Sequence, residues 1–258
     1  MIEVTKFTSY VERLIAIPEG ADPSRITTAV VVDPDGTVRH VPTRVEVIDG
    51  RYYARVNSLT NSTYAVIWNP VEFADVKGHW AKSAVNNMGS RKIIEGIGGG
   101  LFEPDREMTR AEFAAVIVRA LGLQPEKGAA PFTDVSESDW HSAFVKTAQS
   151  YGLIDGYPDG TFRPDDPITR EQAMTVLARA KELTGLKAKL HDGADEAVLQ
   201  AFADAAEVSG WAVAGIADNV RAGIVTGRNG TEIAPKAHVT QAEVAVMVQR
   251  LLVKSDLI

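Results

Sequence analysis

The stretch ITREQAMTVLARA, from Ile168 to Ala180, combines a helix start with a residue that does not suit one. Thr169 and Gln172 have the spacing of a capping box, in which the threonine oxygen and the glutamine side chain satisfy backbone N–H groups reciprocally. Arg170 stands at the first helical position, where a cation opposes the helix dipole by roughly 0.3–1 kcal/mol. The stretch therefore predicts a helix from about residue 170 but leaves the arginine unexplained.

This stretch belongs to one of three related copies in the chain. In each copy a Phe precedes a Trp, a Pro follows the Trp by 24 residues, and a Thr follows the Pro by five. The residues are Phe73, Trp80, Pro104 and Thr109; Phe132, Trp140, Pro164 and Thr169; and Phe202, Trp211, Pro235 and Thr240. Three copies in such register indicate a repeated supersecondary unit.

Each copy has the pattern of a helix, a loop and a second helix. We expect the first helix to begin at the Trp and to end near RKIIEG, YGLIDG or RAGIVTG, and the Gly that follows the Trp by 16 residues to act as a C-terminal cap or turn residue. The second helix begins at the capping box and carries an apolar stripe. In the first and third copies the stripe consists of Phe113, Val116, Ile117, Ala120 and Leu121, and of Val244, Met247, Val248, Leu251 and Leu252. Because one unit cannot bury this face alone, three units should pack around a common axis.

Residues 1 to about 70 have the pattern of β-structure instead. The runs TTAVVVD, VRHVPTRVEVI, RYYARVNSL and YAVIW are separated by turn residues and predict one small sheet of four or five strands. No polar cluster in this region suggests chemistry, so we assign it no activity. The predicted fold class is α+β, with a β-rich module at 1–70 and repeats at 71–124, 131–186 and 201–258, the last with a degenerate motif.

Composition excludes several classes of function for this 258-residue chain. It has no cysteine, which removes thiolate nucleophiles and sulfur-based zinc sites, and its five histidines form no paired metal motif. A net charge of −7 argues against a nucleic-acid binder, and no apolar run reaches the roughly 18 residues of a membrane span. Catalytic and phosphate-binding signatures are absent, and the acidic loop DGYPDGTFRPDD lacks EF-hand spacing. We expect no enzyme, metal or cofactor.

Two interpretations of Arg110 and Arg170 remain open. In a structural interpretation they pair with nearby carboxylates such as Asp105 and Asp166, which yields only a fraction of a kcal/mol at an exposed site. In a functional interpretation both guanidinium groups lie in grooves beside helix starts and bind a planar anion through two parallel hydrogen bonds. The third copy carries Gln241 at this position, so its groove should be weaker or lost.

The tryptophans and the aspartates of the F-x-D segments each have two interpretations as well. A Trp at a helix start is more often a core anchor, although its ring can also stack on a sugar face. The aspartate most simply caps the first helix or the turn before it, and ligand hydrogen bonding is the less favoured alternative. The residues concerned are Trp80, Trp140 and Trp211, with Asp75, Asp134 and Asp204.

Together these features closely resemble the S-layer homology domain over about residues 72 to 258. The hallmarks are the F-x-D-V opening before a Trp, the loop GYPDGTFRP, and the motif T-R-A-E, complete from Thr109 to Glu112. The second copy departs from the motif with Glu171 and Gln172, and the third lacks the arginine. Such motifs in triplicate are highly specific.

The resemblance implies a pseudo-threefold helical bundle with grooves between neighbouring repeats. It also implies non-covalent attachment to a secondary cell-wall polysaccharide of Gram-positive-type bacteria, typically through pyruvate-ketal-bearing N-acetylmannosamine, whose carboxylate the motif arginine binds. On this basis Arg110 and Arg170 are carboxylate clamps, and at most two grooves bind. The carbohydrate-binding residues predicted are Arg110, Arg170, Trp80, Trp140, Trp211, Asp75, Asp134, Asp204, Glu112, Gly96, Gly156, Tyr157 and Gln241.

The family resemblance also sets expectations for location and partners. We expect an extracellular wall anchor that is monomeric as this fragment, with neither nucleic acid nor membrane insertion. The opening MIEVTKFTSYVERL lacks the order of a secretory signal, so we expect the chain to be the C-terminal part of a longer secreted protein. Two other functions stay open: a protein–protein adaptor using the same bundle, and an enzyme whose active site lies in the β-region or in a preceding part.

Overall fold

The computed structural model describes residues 6–33, 36–186 and 195–258. Within these ranges it contains six strands and seven α-helices, in agreement with the predicted α+β class. The strands are β1 Lys6–Ala16, β2 Thr28–Val32, β3 Val38–Val41, β4 Thr43–Ile48, β5 Arg51–Thr60 and β6 Thr63–Ile67. The helices are α1 Lys82–Ser90, α2 Arg110–Ala120, α3 Ser142–Ser150, α4 Arg170–Leu183, α5 Asp195–Leu199, α6 Val213–Arg221 and α7 Gln241–Lys254.

The amino-terminal strands form two sheets, so the prediction of a single sheet is wrong. Both sheets are three-stranded and antiparallel, in the orders β1-β5-β4 and β3-β2-β6. The run VRHVPTRVEVI divides at Pro42, which has no N–H to donate to a ladder, and its two halves join different sheets. Strand β1 is not predicted from the sequence because its polar and apolar residues do not alternate strictly, and its pairing with β5 is irregular between Lys6 and Val11.

The β-region packs directly on the first repeat. The Tyr10 hydroxyl donates to the Leu121 carbonyl at 2.7 Å, and Arg39 Nη1 donates to the Gly122 carbonyl at 2.7 Å. From the helical side, Arg91 Nη1 donates to the Thr43 carbonyl at 3.1 Å. The first two bonds satisfy carbonyl groups beyond the end of α2, which have no partner within the helix. The two sheets therefore cover the carboxyl end of α2.

The three predicted capping boxes are confirmed. Thr109, Thr169 and Thr240 each accept from the backbone N–H three residues on, at 3.2, 3.4 and 3.3 Å, and the residue there returns a bond to the threonine N–H. Consequently α2, α4 and α7 begin at the motif position itself. The predicted apolar stripes of α2 and α7 are buried throughout, as the period of 3.6 residues requires.

The first helices end next to the segments RKIIEG, YGLIDG and RAGIVTG, as predicted. They finish at residues 90, 150 and 221, and the backbone turns at Lys92, Gly152 and Gly223, which have φ angles of 61°, 66° and 66°. The glycines predicted as cap or turn residues lie in the loop that follows, where the Phe ring of the same repeat packs against them. A Cβ at these positions would lie 2.6 Å or less from a ring atom in the first two repeats and 2.8 Å from one in the third. These glycines are Gly96, Gly156 and Gly227.

The aspartates of the F-x-D segments do not cap the first helix, which corrects that expectation. Each carboxylate instead accepts from two successive backbone N–H groups in the loop before the second helix. For Asp134 these are the N–H groups of Phe162 and Arg163, both at 2.7 Å, and Arg163 has a φ of 58°. Asp75 and Asp204 bind the corresponding pairs in their repeats, which also include a residue of positive φ. The aspartate thus holds a strained backbone that presents two amides to one anion.

Helix packing links each repeat to the next. Helix α2 of the first repeat packs against α3 of the second, α4 packs against α6 of the third, and α7 packs against α1 of the first. Each apolar stripe is therefore buried by a neighbouring repeat, as predicted for units that cannot fold alone.

Backbone hydrogen bonds join the three segments that precede the second helices. The Met108 N–H donates to the Val239 carbonyl at 3.0 Å, the Val239 N–H to the Ile168 carbonyl at 3.1 Å, and the Ile168 N–H to the Met108 carbonyl at 3.0 Å. The three bonds form a closed cycle, and the three side chains are buried. The starts of α2, α4 and α7 are thereby fixed relative to one another.

We expect Gly156→Ala to lower the free energy of unfolding by about 1–3 kcal/mol, the range for an overpacked site. Its Cβ would lie 2.4 Å from Cε1 of Phe132 and 2.7 Å from the Thr161 carbonyl oxygen. The measurement is urea unfolding followed by circular dichroism. Gly78→Ala is the matched control, since nothing lies within 4 Å of its Cβ, and equal stability of the two variants would contradict the packing argument.

We expect Asp134→Asn to destabilise the protein by about 1 kcal/mol at pH 7, since an exposed carboxylate loses two charge-assisted bonds. Partial burial raises the pKa of Asp134, but the two backbone N–H bonds lower it further, so its pKa lies below the ordinary value. A depressed pKa contributes stability that is present above the unfolded pKa of about 4 and is lost as the pH falls through the folded value.

The measurement is the unfolding free energy of wild type and variant from pH 7 to pH 3. The difference between them should shrink below about pH 4. Glu72→Gln, at an exposed position, is the control. A difference independent of pH would show that the carboxylate charge does not hold the loop.

Candidate functional site

Three grooves lie between the repeats, and each takes residues from all three. The Arg110 groove has a volume of about 310 Å³, the Arg170 groove about 450 Å³ and the Gln241 groove about 200 Å³. In each, one repeat supplies the motif residue at the helix start, the next supplies the turn glycine and a face of its second helix, and the remaining repeat supplies its Trp. Of the predicted residues, Gly156, Tyr157 and Trp211 line the Arg110 groove, Trp80 lines the Arg170 groove, and Trp140, Gly96 and Glu112 line the Gln241 groove.

The motif tryptophans are exposed, so the interpretation of these residues as core anchors is wrong. Trp80, Trp140 and Trp211 are 65%, 60% and 58% exposed. Each stands two residues before its helix and at the rim of a groove formed mainly by the other two repeats. An exposed indole offers a broad apolar face beside polar groups.

Arg110 reaches away from its own helix into the second repeat. Its Nε donates to the Phe162 carbonyl at 2.8 Å and its Nη2 to the Asp155 carbonyl at 3.2 Å. The guanidinium carbon lies 4.9 Å from the ring centre of Tyr157 and 4.6 Å from that of Phe162. Burial lowers its pKa, and the residue is 8% exposed. In the described parts of the chain no carboxylate forms an ion pair with Arg110, which leaves a buried cation held only by carbonyls and rings.

Arg170 lies at the equivalent place but has a carboxylate partner. Its Nε donates to the Ile233 carbonyl at 2.8 Å, and its Nη1 donates to Glu243 Oε1 at 2.9 Å. Arg228 binds the same carboxylate through Nε at 2.8 Å and Nη2 at 3.0 Å. Burial raises the pKa of Glu243, but hydrogen bonds from Arg228 and the charge of Arg170 lower it further, so it is held ionised. The aspartate pairs considered from the sequence do not form: Asp105 bonds His79 instead.

Gln241 takes the motif position of the third groove. Its Nε2 donates to Glu112 Oε2 at 3.3 Å, and Arg106 pairs with the other oxygen of Glu112 at 2.7 Å. The groove therefore has a neutral amide where the others have a motif cation, and this amide contacts a carboxylate. This agrees with the expectation of a weaker third groove for an anion.

Asp75, Asp134 and Asp204 lie outside the lining of all three grooves, because their carboxylates are used in the loops. A second set of arginines that was not predicted from the sequence does line them: Arg119, Arg179 and Arg250. Each follows the motif position by nine residues in its repeat. At 3.6 residues per turn that spacing puts the two on opposite sides of one helix, so they line different grooves, and the spacing is the signal by which the second set is recognisable.

The described residues contain no group of three or more His, Asp or Glu side chains that could hold a metal ion. Within the same ranges, no helix is both long and apolar enough to cross a membrane. The grooves thus offer cations, amides and aromatic faces as their chemistry.

Comparison with known proteins finds three matches to the S-layer homology domain, at residues 72–114, 131–174 and 201–245. A relative named amylopullulanase, from Thermoanaerobacterium thermosulfurigenes, is 32% identical over 246 residues, which is 95% of this chain and 13% of that protein. The cellulosome-anchoring protein of Acetivibrio thermocellus is 31% identical over 170 residues, covering 64% of this chain and 36% of that protein. The surface layer protein of Brevibacillus choshinensis is 35% identical over 136 residues, covering 48% and 12%.

This chain therefore spans only a small part of the length of these relatives. The three matched segments coincide with the three repeats, and each includes the Trp and the motif position that meet in the grooves. The chain belongs to the S-layer homology domain family.

Proposed function

We propose that this chain is a non-covalent cell-surface anchor that binds a pyruvylated secondary cell-wall polysaccharide through the grooves between its repeats. The ligand is a terminal N-acetylmannosamine bearing a pyruvate ketal, whose carboxylate the motif arginine binds. The proposed location is the extracellular wall, and the chain itself performs attachment without catalysis. Relatives named as surface-layer and cellulosome-anchoring proteins support this function.

The observation that carries the proposal is the state of Arg110. A buried guanidinium without an anionic partner is costly, because desolvation disfavours the charged form. Arg110 has such surroundings, and its Nη1 has no hydrogen-bond partner among the described residues. A ligand carboxylate would supply the missing negative charge and accept charge-assisted hydrogen bonds from the Nη1 side of the guanidinium.

The rest of the Arg110 groove suits the body of a saccharide. Trp211 presents an exposed ring, while Gln172 and Tyr157 present an amide and a hydroxyl that already bond each other at 3.3 Å. A volume of about 310 Å³ lies at the lower end of the range for small-ligand sites. One sugar residue with its ketal is a ligand of this class.

We further propose that the repeats form a pseudo-threefold bundle. The cycle of three backbone hydrogen bonds and the cyclic packing of second helices on first helices support this arrangement. Equivalent grooves then recur three times around the bundle, and differences in binding come from the residues that differ between repeats. The domains proposed remain the β-rich module at 1–70 and repeats at 71–124, 131–186 and 201–258.

We expect Arg110→Ala to weaken binding of a pyruvylated N-acetylmannosamine glycan by about 30-fold or more. Loss of one partner from a buried, hydrogen-bonded charge pair costs about 2–5 kcal/mol, and each 1.4 kcal/mol is tenfold. Arg110→Ala combined with Arg170→Ala should abolish binding. The measurement is titration calorimetry with this glycan and with the same glycan lacking the ketal. The wild type and the variants should all bind the ketal-free glycan weakly and with equal affinity.

Gln241→Ala is the matched control at the third motif position and should leave the affinity unchanged. Circular dichroism establishes that each variant is folded, and Arg110→Lys retains the charge without the planar fork, so an intermediate affinity is expected. Equal binding of both glycans by the folded wild type would overturn the proposal. A partner protein whose binding ignores the pyruvate would then favour an adaptor role.

A further inference from the structure

We infer that the third residue of each second helix decides which groove admits a carboxylate: Gln172 leaves Arg110 open, whereas Glu243 occupies Arg170 as a built-in competitor. The inference rests on the proposed carboxylate-binding function and goes beyond it by ranking the grooves. The sequence identifies Gln172 and Glu243 only as halves of capping boxes, and the structure gives each a second contact across the groove.

The third helical residue has one task that is common to all repeats. Thr109, Thr169 and Thr240 donate their backbone N–H to Glu112, Gln172 and Glu243 at 2.9, 3.2 and 3.0 Å. Glutamine and glutamate both perform it, as the closed capping box of α4 shows. An exchange between them therefore changes the charge in the groove and preserves the helix start.

The contact across the groove differs between repeats. Each side chain faces the motif residue of the preceding repeat, so Gln172 stands in the Arg110 groove and Glu243 in the Arg170 groove. Besides the Thr240 N–H, the Glu243 carboxylate accepts three hydrogen bonds from side chains, one from Arg170 and two from Arg228, and its side chain is 14% exposed. Gln172 donates to Tyr157, which takes the place of Arg228 in the repeat, and leaves Arg110 without an anion.

Two electrostatic effects oppose one another in the Arg170 groove. Arg228 and Arg250 also line it, so its overall positive charge attracts anions from solution. A ligand carboxylate that binds both Nη groups of Arg170 must nevertheless displace Glu243 from Nη1, and Glu243 is tethered to the site and loses no association entropy. Attraction between the ligand and exposed charges decays over about 8 Å at physiological salt. The contact between Arg170 and Glu243 is buried and is therefore screened much less. Whether the guanidinium is free to contact the ligand should therefore matter more than the overall charge of the groove. The Arg110 groove should bind the carboxylate more tightly than the Arg170 groove.

The Gln241 groove completes the ranking. It has no motif cation, and Glu112 presents a carboxylate that already binds Arg106 and Gln241. An incoming anion meets a like charge there, so this groove should bind it least.

The test exchanges the two residues. We expect Gln172→Glu to weaken binding of the pyruvylated N-acetylmannosamine glycan at the tight site about tenfold or more, because the new carboxylate pairs with Arg110. Glu243→Gln should strengthen the weaker site by a similar factor, and in an Arg110→Ala background it should restore ketal-dependent binding. The measurement is titration calorimetry with this glycan and its ketal-free counterpart, and affinity for the latter should stay within twofold throughout.

Gln149→Glu is the control for net charge, since it adds the same charge at an exposed position outside the grooves and should change the affinity less than twofold. Urea unfolding checks that the exchanged proteins are as stable as the wild type. If Arg110→Ala weakens ketal-dependent binding as expected but both exchanges leave the affinities unchanged, the inference fails and the proposed function stands. If Arg170→Ala costs more affinity than Arg110→Ala, the ranking is overturned. If folded wild type shows no ketal dependence, the proposed function fails and the inference with it.

Discussion

The cycle of backbone hydrogen bonds among Met108, Ile168 and Val239 is the constraint on which the rest of the structure depends. Each bond joins two repeats far apart in sequence, and each lies just before a second helix. Fixing these three points orients the helix starts. The backbone N–H groups two residues further along each segment bond the neighbouring repeat as well, as in the bond from the Arg110 N–H to the Asp166 carbonyl. The motif side chain must then extend into the adjacent repeat, and for this reason each groove is lined by residues of all three repeats.

Buried arginines at helix starts are explained by this geometry. The first helical position is unfavourable for a cation only while its charge stays near the helix axis. Arg110 and Arg170 carry the charge across an interface, where carbonyl oxygens of the next repeat accept from Nε. Carbonyl contacts orient the guanidinium without neutralising it. The guanidinium nitrogens that these carbonyls leave free are available to an anion. The third helical residue of the next repeat decides whether that anion is a carboxylate of the protein or of the ligand.

Much of the helical architecture could be predicted from the sequence because its signals are local. Capping boxes and apolar stripes depend on residues three to eight apart, so Thr169 with Gln172 and the stripe of α2 were correctly predicted. The misassigned residues depend on contacts between distant segments. Gly156 is required by the ring of Phe132, Asp134 binds amides 28 and 29 residues away, and Trp211 is exposed because its groove is built by other repeats. No local pattern distinguishes these roles from a cap or a core anchor.

The differences between repeats follow from the same separation of local and distant roles. Selection for a stable helix start restricts the third helical residue to Glu or Gln, since both close the capping box. It does not restrict the charge, because the charge acts on a different repeat. Gln in place of Glu at residue 172 therefore leaves the capping box of its own helix closed, yet it changes the partner available to Arg110. A fold with tandem repeats joined in a cycle can thus diversify its grooves one at a time while every helix keeps the same start.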